Sequence, residues 1–343
     1  METIDFHAHL LNPNVSFSRV YDKVAISLFA KKLGVNKDDL LNRKYDAFVD
    51  AFINNIQNSK YVSKSVVLPV DAKIDSKGRE LSRDKTVCSS NEDVLNEYKK
   101  NPNEVIPFFS VNPNRVDALD LIDKYAKEGF KGAKFLQNYW DIDINDDRYI
   151  PYFEKIKSYD LPIIVHTGSE HAIESNPMYE KVEVANLAIE IGCKVVLAHF
   201  GVNSIMEHKP FGVNSIMEHK PSKILNNFSF DNQKFGDDYF KTIEYLEKHE
   251  NVYADLSAMV MNFRSKIIED LAKNQSQIHD KLLFGTDYPV PFSPMFSYHS
   301  LGLKKRRELE KIQNPLDRNV EFFNQYFDED SCIYTNWQKL IKE

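Results

Sequence analysis

The chain alternates between short apolar runs and longer stretches whose apolar residues recur every three or four positions. The apolar runs predict eight β-strands, at residues 3–9, 65–70, 105–111, 130–136, 161–168, 194–201, 251–257 and 281–289. The periodic stretches predict helices, and two of these end at Gly129 and Gly192, because glycine commonly follows the last helical residue. Apolar strands that alternate with helices indicate a parallel sheet that is covered on both faces.

Eight strand–helix units most simply close into a (β/α)8 barrel, so the sequence predicts an α/β protein with a TIM-like barrel fold. The rival is a doubly wound open sheet, which usually has fewer strands. Its nucleotide-binding form also carries a glycine-rich first turn that this chain lacks. We therefore expect one barrel domain over residues 1–343, with a helical insertion at 11–62 after the first strand and an irregular loop at 71–90.

An eleven-residue segment is repeated in tandem after the sixth strand: residues 200–210 recur without change as 211–221. Two copies are too few, and the period too short, for a repeat protein. The repeat is either an in-frame duplication in the gene or an error or design in this sequence. Only the first copy follows a strand end, so we expect neither His208 nor His219 to bind a metal.

Composition and charge narrow the set of partners. The chain is 42% hydrophobic and 28% charged, as in ordinary globular proteins, and its net charge of −7 disfavours a nucleic-acid partner. It has no run of 18 apolar residues, so no membrane partner is expected, and its N-terminus lacks a signal pattern. A cytoplasmic location without a disulfide framework is expected, since the three cysteines are scattered, at Cys88, Cys193 and Cys332.

Four histidines and one aspartate fall at the ends of predicted strands. If residues 3–9 form a strand, His7 and His9 share one face and can grip a single metal ion. The other candidates are His166 on the fifth strand, His199 on the sixth and Asp287 on the eighth. Strand ends surround one mouth of a barrel, where active sites lie. Histidine nitrogens with one carboxylate and an open position suit a catalytic divalent metal such as zinc.

The motifs around these residues resemble those of the amidohydrolase superfamily. They are Phe-His-Ala-His at 6–9, Val-His-Thr-Gly at 165–168, Ala-His-Phe-Gly at 198–201 and Phe-Gly-Thr-Asp-Tyr-Pro at 284–289. The resemblance is closest to the amidohydrolase-related branch, which includes aminocarboxymuconate-semialdehyde decarboxylase and several lactone hydrolases. It covers nearly the whole chain and implies a barrel with a metal at its mouth.

The resemblance also implies roles for the strand-end residues. His7, His9, His166 and Asp287 would bind the metal, with Zn2+ as the expected ion. His199 would orient or activate the metal-bound water, or ligate a second metal. Asp287, beside that water, can accept its proton and pass it to a leaving group. His199 and Asp287 are thus the expected catalytic residues.

Three further residues are candidates for the pocket. Lys134 on the fourth strand has three readings: a carboxylated lysine that bridges two metals, a free lysine that contacts substrate, and a plain lysine whose amine reaches solvent. One ion is expected, or two if Lys134 is carboxylated. Arg264 is a candidate clamp for a substrate carboxylate, although a surface salt bridge explains it equally well. Trp140, after the fourth strand, is a candidate substrate contact.

The function expected from these residues is metal-dependent hydrolysis of a small ester, lactone or amide, with a carboxylate on the substrate. The alternative is a nonoxidative decarboxylase of an unsaturated or aromatic carboxylic acid on the same scaffold. A metal-dependent deoxyribonuclease barrel fits less well, because such enzymes tend to carry glutamate where this chain has Lys134. A barrel that binds metal without turnover is disfavoured, since all the expected ligands are present. The expected partners are a small-molecule substrate and, by resemblance, a second copy of the chain in a homodimer.

Overall fold

The computed structural model describes residues 2–13, 30, 32–43, 45–82, 88–170, 175–202, 235–260, 264–295, 297 and 300–342. Within these ranges, eight parallel strands follow one another as the sequence predicts. Their bounds are β1 Thr3–Ala8, β2 Val62–Val67, β3 Val105–Pro107, β4 Ala133–Phe135, β5 Ile163–Val165, β6 Val195–Leu197, β7 Val252–Asp255 and β8 Leu282–Leu283. One sheet has the order β1-β2-β3, and the other has the order β8-β7-β6-β5-β4.

Backbone hydrogen bonds join the two sheets at both edges. Between β3 and β4, the Lys134 N–H donates to the Phe109 carbonyl over 2.7 Å. Between β8 and β1, the Phe6 N–H donates to the Phe284 carbonyl over 3.0 Å. Since neither sheet keeps a free edge at these junctions, the eight strands close into a ring, and the predicted (β/α)8 barrel is confirmed.

Helices surround the strands and turn their apolar faces inward. In the helix after β3, Ala118, Ile122 and Tyr125 are buried at spacings of four and three residues. The helix after β5 ends at Gly192, whose φ of 88° is left-handed, as the sequence predicts. Within the described residues, the α-helices include Lys37–Arg43, Tyr45–Gln57, Asn91–Lys100, Ala118–Lys127, Gln137–Trp140, Ile150–Ser158, Asn186–Ile191, Asp237–Lys248, Ser265–Asn274, Leu303–Glu310 and Pro315–Phe323.

The apolar core has two layers. The larger layer lies between the strands and the helices. The smaller one, which we call the inner cluster, draws on alternate strand residues such as Ile4, Phe6 and Val66 and includes no residue of the surrounding α-helices. Trp337 and Leu340, from the C-terminal segment, also belong to it. The inner cluster therefore fills the barrel itself.

Two segments differ from the expected pattern or extend it. Inside the loop predicted at 71–90, Lys73–Ile74 and Glu80–Ser82 pair as an antiparallel hairpin. The prediction of an irregular loop was wrong there because strands of two and three residues are too short to show a period in sequence. The hairpin turn is instead set by the Asp75 carboxylate, which accepts from the N–H groups of Lys77 and Arg79 over 2.9 Å each.

The helical insertion predicted at 11–62 is present as the helices Lys37–Arg43 and Tyr45–Gln57. Residues 14–29 lie outside the described ranges. So does most of the tandem repeat at 200–221, including His208 and His219, and the expectation that these two bind no metal stays a prediction. None of the helices within the described ranges is long and apolar enough to cross a membrane.

Candidate metal centre

His7 and His9 lie at the C-terminal end of β1 and turn their rings toward each other. Their Nε2 atoms are 3.3 Å apart. Each ring is also held at its other nitrogen: His7 Nδ1 is 2.8 Å from the Asp255 carboxylate, and His9 Nδ1 is 2.8 Å from the Leu68 carbonyl. Carbonyl and carboxylate oxygens only accept hydrogen bonds, so each neutral ring carries its proton on Nδ1. The pair therefore presents two nitrogen lone pairs to one point.

Asp287 reaches the same point from the end of β8. Its N–H donates to the His7 carbonyl over 2.8 Å. Its Oδ1 lies 3.6 Å from His7 Nε2 and 3.8 Å from His9 Nε2. Gly285 permits this close packing, because a Cβ there would lie only 3.1 Å from the Cβ of His7. We call His7, His9 and Asp287 the ligand triad.

The two imidazoles of the ligand triad have no proton to share at the point where they meet. Burial and, to a smaller extent, the charge of Lys134 lower the pKa of His9 to about 3. Burial and Lys134 also hold the pKa of His7 well below its usual range. Burial raises the pKa of Asp287 well above its usual range, and Lys134 opposes that rise. A cation is the partner that would satisfy all three converging atoms.

The distances within the ligand triad match those between ligands of one divalent ion. Donor atoms bound at about 2.0–2.2 Å in tetrahedral geometry stand roughly 3.4 Å apart. The three separations of 3.3, 3.6 and 3.8 Å lie close to that value. Three protein ligands with one open position is the arrangement of catalytic zinc sites, and the donor set also suits other divalent metals. The residues present therefore fit a resident metal ion.

His166 and His199 lie farther round the mouth, after β5 and β6. Their ring centroids are 5.1 Å apart, and that of His199 is 5.0 Å from that of His7. His166 Nε2 has no hydrogen-bond partner among the described residues and lies 3.7 Å from the Glu170 carboxylate. His166 joins neither group of three closely spaced ligand atoms in that part of the chain. Metal binding by His166 and catalysis by His199 stay predictions.

Lys134 points into the barrel from β4. Its neighbours Ala133 and Phe135 belong to the layer between strands and helices, so the alternation of the strand turns Lys134 inward. Its side chain is 0% exposed, and its Nζ has no hydrogen-bond partner among the described residues. Burial lowers its pKa, and the charges of Asp255 and Asp287 oppose that shift. The reading in which its amine reaches solvent is wrong, and the other two readings stay open.

A cavity of about 260 Å3 opens beside the ligand triad. Most of its wall is apolar and includes Leu10, Val70 and Pro289. The ionisable side chains in its lining lie close to one another, as the His166–His199, His166–Glu170 and His9–Asp287 contacts show. The Cys88 thiol also belongs to the lining. The cavity therefore combines a polar reaction end with an apolar surface for the rest of a ligand.

Arg264 and Trp140 are both buried, each 3% exposed. The Arg264 guanidinium donates to the Ser169 carbonyl over 3.0 Å, so the reading as a surface salt bridge is wrong. The Trp140 indole N–H donates to the Asp71 carbonyl over 3.0 Å, and its ring packs edge-on against Phe135. Neither side chain is part of the cavity wall formed by the described residues. Their substrate contacts stay predictions.

The sequence reasoning missed two carboxylates. Asp255 ends β7 and accepts a hydrogen bond from His7, and Glu170 lines the cavity four residues after His166. Asp255 carries the same signal as the histidines, because it is the polar residue that closes an apolar run in Val-Tyr-Ala-Asp. Glu170 lies in a loop, where no sequence period marks which side chains turn toward the mouth.

Comparisons with known proteins give the family and the fold of the chain. A family model described as amidohydrolase matches residues 4–295. A search of curated proteins finds no match. A probable 2-pyrone-4,6-dicarboxylic acid hydrolase from Acinetobacter baumannii, solved with citric acid bound, is 15% identical. The similarity covers 99% of each chain with a TM-score of 0.56.

Two further solved structures share the fold. An uncharacterised TIM-barrel protein from Bordetella bronchiseptica is 15% identical over 94% of this chain and 100% of its own, with a TM-score of 0.54. A 5-carboxyvanillate decarboxylase from Sphingomonas paucimobilis is 12% identical over 99% of this chain and 98% of its own, with a TM-score of 0.52. At these identities the similarity establishes the barrel.

Proposed function

The chain belongs to the amidohydrolase family, and we propose that it is a metal-dependent hydrolase of a small, carboxylate-bearing ester, lactone or amide. The observation that carries the proposal is the ligand triad, whose three donor atoms lie 3.3 to 3.8 Å apart beside a cavity. Such a set holds one divalent ion and leaves a position for water or substrate.

Four residues of the mouth have a part in the proposed reaction. A divalent ion held by the ligand triad would act as a Lewis acid and would lower the pKa of a water molecule at the site to about 7. Asp287 accepts the proton of the attacking water and delivers it to the leaving group. His199, whose ring lines the cavity, orients that water. His7 and His9 hold the ion, and their second nitrogens stay bonded to Asp255 and Leu68.

Buried positive charge supports a carboxylate on the substrate. The charges of Lys134 and Arg264 both act on Asp287, which places two cationic side chains near the reaction end of the cavity. The Lys134 amine has no hydrogen-bond partner among the described residues, and a substrate carboxylate would supply one. The apolar wall suits a ring or an unsaturated chain, and a volume of about 260 Å3 restricts the substrate to a small molecule.

A paired substrate panel tests the proposal. Metal-free protein reconstituted with Zn2+ is assayed for hydrolysis of small lactones, esters and amides, each as the free carboxylate and as a neutral analogue in which a methyl ketone replaces the carboxylate. The proposal predicts metal-dependent hydrolysis that favours the free carboxylates, and hydrolysis by Asp287→Asn that is about 10²- to 10⁴-fold slower. Hydrolysis that does not depend on metal, or that favours the neutral partners, would contradict it.

The same panel tests decarboxylation. An apolar wall and a Lys134 amine with no hydrogen-bond partner in the described part of the chain also suit an unsaturated or aromatic carboxylic acid, and these two observations support the second candidate function. Carbon dioxide release from such acids, with no hydrolysis of the lactones, would replace the hydrolase by a decarboxylase. We propose for either activity a homodimeric cytoplasmic enzyme with Zn2+, which gel filtration and metal analysis of the native protein would test.

A further inference from the structure

The C-terminal end of β7 and the loop after it carry two side chains that contact the histidines of the mouth, Asp255 and Ser257. Asp255 is fully buried, and its Oδ2 lies 2.8 Å from His7 Nδ1. Its Oδ1 accepts from the backbone N–H groups of His199 and Ser257, over 3.0 and 3.1 Å. The Ser257 hydroxyl also donates to this oxygen. One carboxylate therefore binds two histidines and the serine that lies between them.

The proton count around Ser257 fixes the tautomer of His199. A serine hydroxyl has one proton to donate, and here that proton goes to Asp255. Its oxygen can then only accept, and His199 Nδ1 lies 2.9 Å away. The Ser257 carbonyl, which also only accepts, lies 3.2 Å from the same nitrogen. Both contacts require the proton of a neutral His199 ring to be on Nδ1.

We propose that Asp255 and Ser257 form a positioning hub, which holds His7 and His199 in the Nδ1–H tautomer and leaves both Nε2 atoms unprotonated at the reaction end. Ser257 Oγ lies 3.1 Å from His7 Nδ1, so the hydroxyl bridges both rings. His199 then enters the reaction able to accept a proton or a cation through Nε2. The part given to His7 Nε2 rests on the proposed metal centre, whereas the tautomers themselves do not.

The hub also holds a disfavoured backbone. His199 has φ 55°, and the next residue, Phe200, has φ 53°, both in the left-handed region that side chains with a Cβ rarely adopt. Asp255 accepts from the backbone N–H of His199, and the Thr242 hydroxyl donates to the Phe200 carbonyl over 2.9 Å. Asp255 thus fixes the main chain of His199 directly and its ring through Ser257.

The distances between the ligand atoms of this hub fit hydrogen bonds and not a second metal site. His7, His199 and Asp255 do offer three closely spaced ligand atoms. The His7–Asp255 contact of 2.8 Å, however, has the length of a charge-assisted hydrogen bond. Two ligands of one tetrahedral ion would stand roughly 3.4 Å apart. Asp255 is therefore a positioning residue, and it acts through the two histidines.

The tautomers are measured directly in metal-free protein. Long-range 1H–15N spectra of histidine-labelled protein separate protonated from unprotonated ring nitrogens, and His7→Gln and His199→Gln assign the two signals. We expect a protonated Nδ1 and an unprotonated Nε2 in both rings. A protonated Nε2 in either neutral ring would overturn the hub. If both tautomers are as expected but the protein binds no metal, the hub stands and the proposed function fails.

Two hub variants test which side chain sets each ring. In Asp255→Asn, the amide can donate to His7 Nδ1, so we expect a mixed His7 tautomer and an about 10- to 100-fold loss of metal affinity. In Ser257→Ala, the carbonyl of residue 257 stays beside His199 Nδ1, so we expect only a partial shift of His199 toward the Nε2–H tautomer, while His7 keeps its tautomer and its metal affinity. An unchanged His199 tautomer in Ser257→Ala would remove Ser257 from the hub.

Asp5→Asn is the matched control for these variants. Asp5 is also a fully buried carboxylate at the mouth, but it accepts from the backbone of His7 and from Thr286 and contacts no imidazole ring. We expect both tautomers to be unchanged in this variant. A tautomer change as large as that in Asp255→Asn would mean that loss of any buried carboxylate disturbs the rings, and would overturn the specific role of Asp255.

Discussion

The two ends of the barrel interior carry opposite chemistry, and along β1 the change occurs between neighbouring residues. Phe6 belongs to the apolar inner cluster, and His7 belongs to the ligand triad. Below Phe6 the interior is closed by Trp337 and Leu340 from the C-terminal segment. Above His7 it opens into the cavity. One continuous interior is thus packed with apolar side chains at one end and opens at the other into a cavity lined by ionisable side chains.

The two ends therefore contribute differently: the apolar end stabilises the fold, and the polar end presents groups that a ligand could contact. At the apolar end, burial alone stabilises the fold, and each side chain contributes through the area it removes from water. At the polar end, burial is unfavourable for Lys134 Nζ and His166 Nε2, which have no hydrogen-bond partner among the described residues. Groups like these are kept where a ligand supplies the missing contact.

Loss of the triad carboxylate should have the largest effect. Asp287→Asn removes a proposed metal ligand and the proposed proton acceptor, so we expect kcat/KM to fall by about 10²- to 10⁴-fold with the fold intact. Steady-state kinetics measure the fall in kcat/KM, and circular dichroism checks that the fold is intact. Asp280→Asn makes the same chemical change at a carboxylate that is 62% exposed, and should leave activity unchanged. Equal activity of Asp287→Asn and the wild type would end the proposed role of Asp287.

The apolar end should respond in stability and not in chemistry. Trp337→Ala should lower the free energy of unfolding by about 3–5 kcal/mol, because it removes a buried ring from the inner cluster. Denaturant titration measures this loss, and Trp337→Phe should lose less. The folded fraction should bind as much metal per chain as the wild type. A loss of metal with no loss of stability would show that the two ends are not separate.

Acid should destabilise the metal-free protein through its polar end. The folded pKa of His9 is about 3, below the unfolded value of 6.5, so the unfolded state binds more protons between these values. The stability contributed by His9 is therefore present above pH 6.5 and is lost as the pH falls toward 3. A single group of this kind changes the slope of unfolding free energy against pH by at most about 1.4 kcal/mol per pH unit.

Denaturant titrations from pH 7 to pH 5 measure this slope, and His9→Gln should lose less stability on acidification than the wild type. Comparing the two cancels the opposite contribution of Asp5, since burial raises its pKa to about 7. Trp337→Phe should keep the wild-type slope. Equal slopes for His9→Gln and the wild type would show that the His9 imidazole is not held unprotonated by the fold.

Deletion of the second repeat copy should have the smallest effect. Removing residues 211–221 shortens the connection after β6, and loop length costs only about 0.6 kcal/mol per doubling. We therefore expect a change in unfolding free energy of no more than that size, with unchanged metal binding. Thermal unfolding and metal analysis of the deletion variant measure both. A large loss of metal would assign a role to the second copy.

Sequence patterns predicted the eight strands and the barrel, because buried parallel strands are continuous apolar runs. They also placed His7, His9 and Asp287 together, since each closes such a run. The alternation along β4 could have shown that Lys134 turns inward, but whether an inward lysine reaches solvent depends on what covers the mouth. The partners of the rings also depend on tertiary contacts, since Asp255 and His7 are 248 residues apart.

Metal titration tests most directly whether the ligand triad binds a divalent ion. Zn2+ is titrated into metal-free wild-type protein and into His9→Gln by calorimetry, with metal analysis of the native protein alongside. We expect about one tightly bound ion per wild-type chain, or two if Lys134 is carboxylated, and a large loss of affinity in His9→Gln. Absence of a tight site in the wild type, or equal affinity in His9→Gln, would contradict the assignment of the ligand triad.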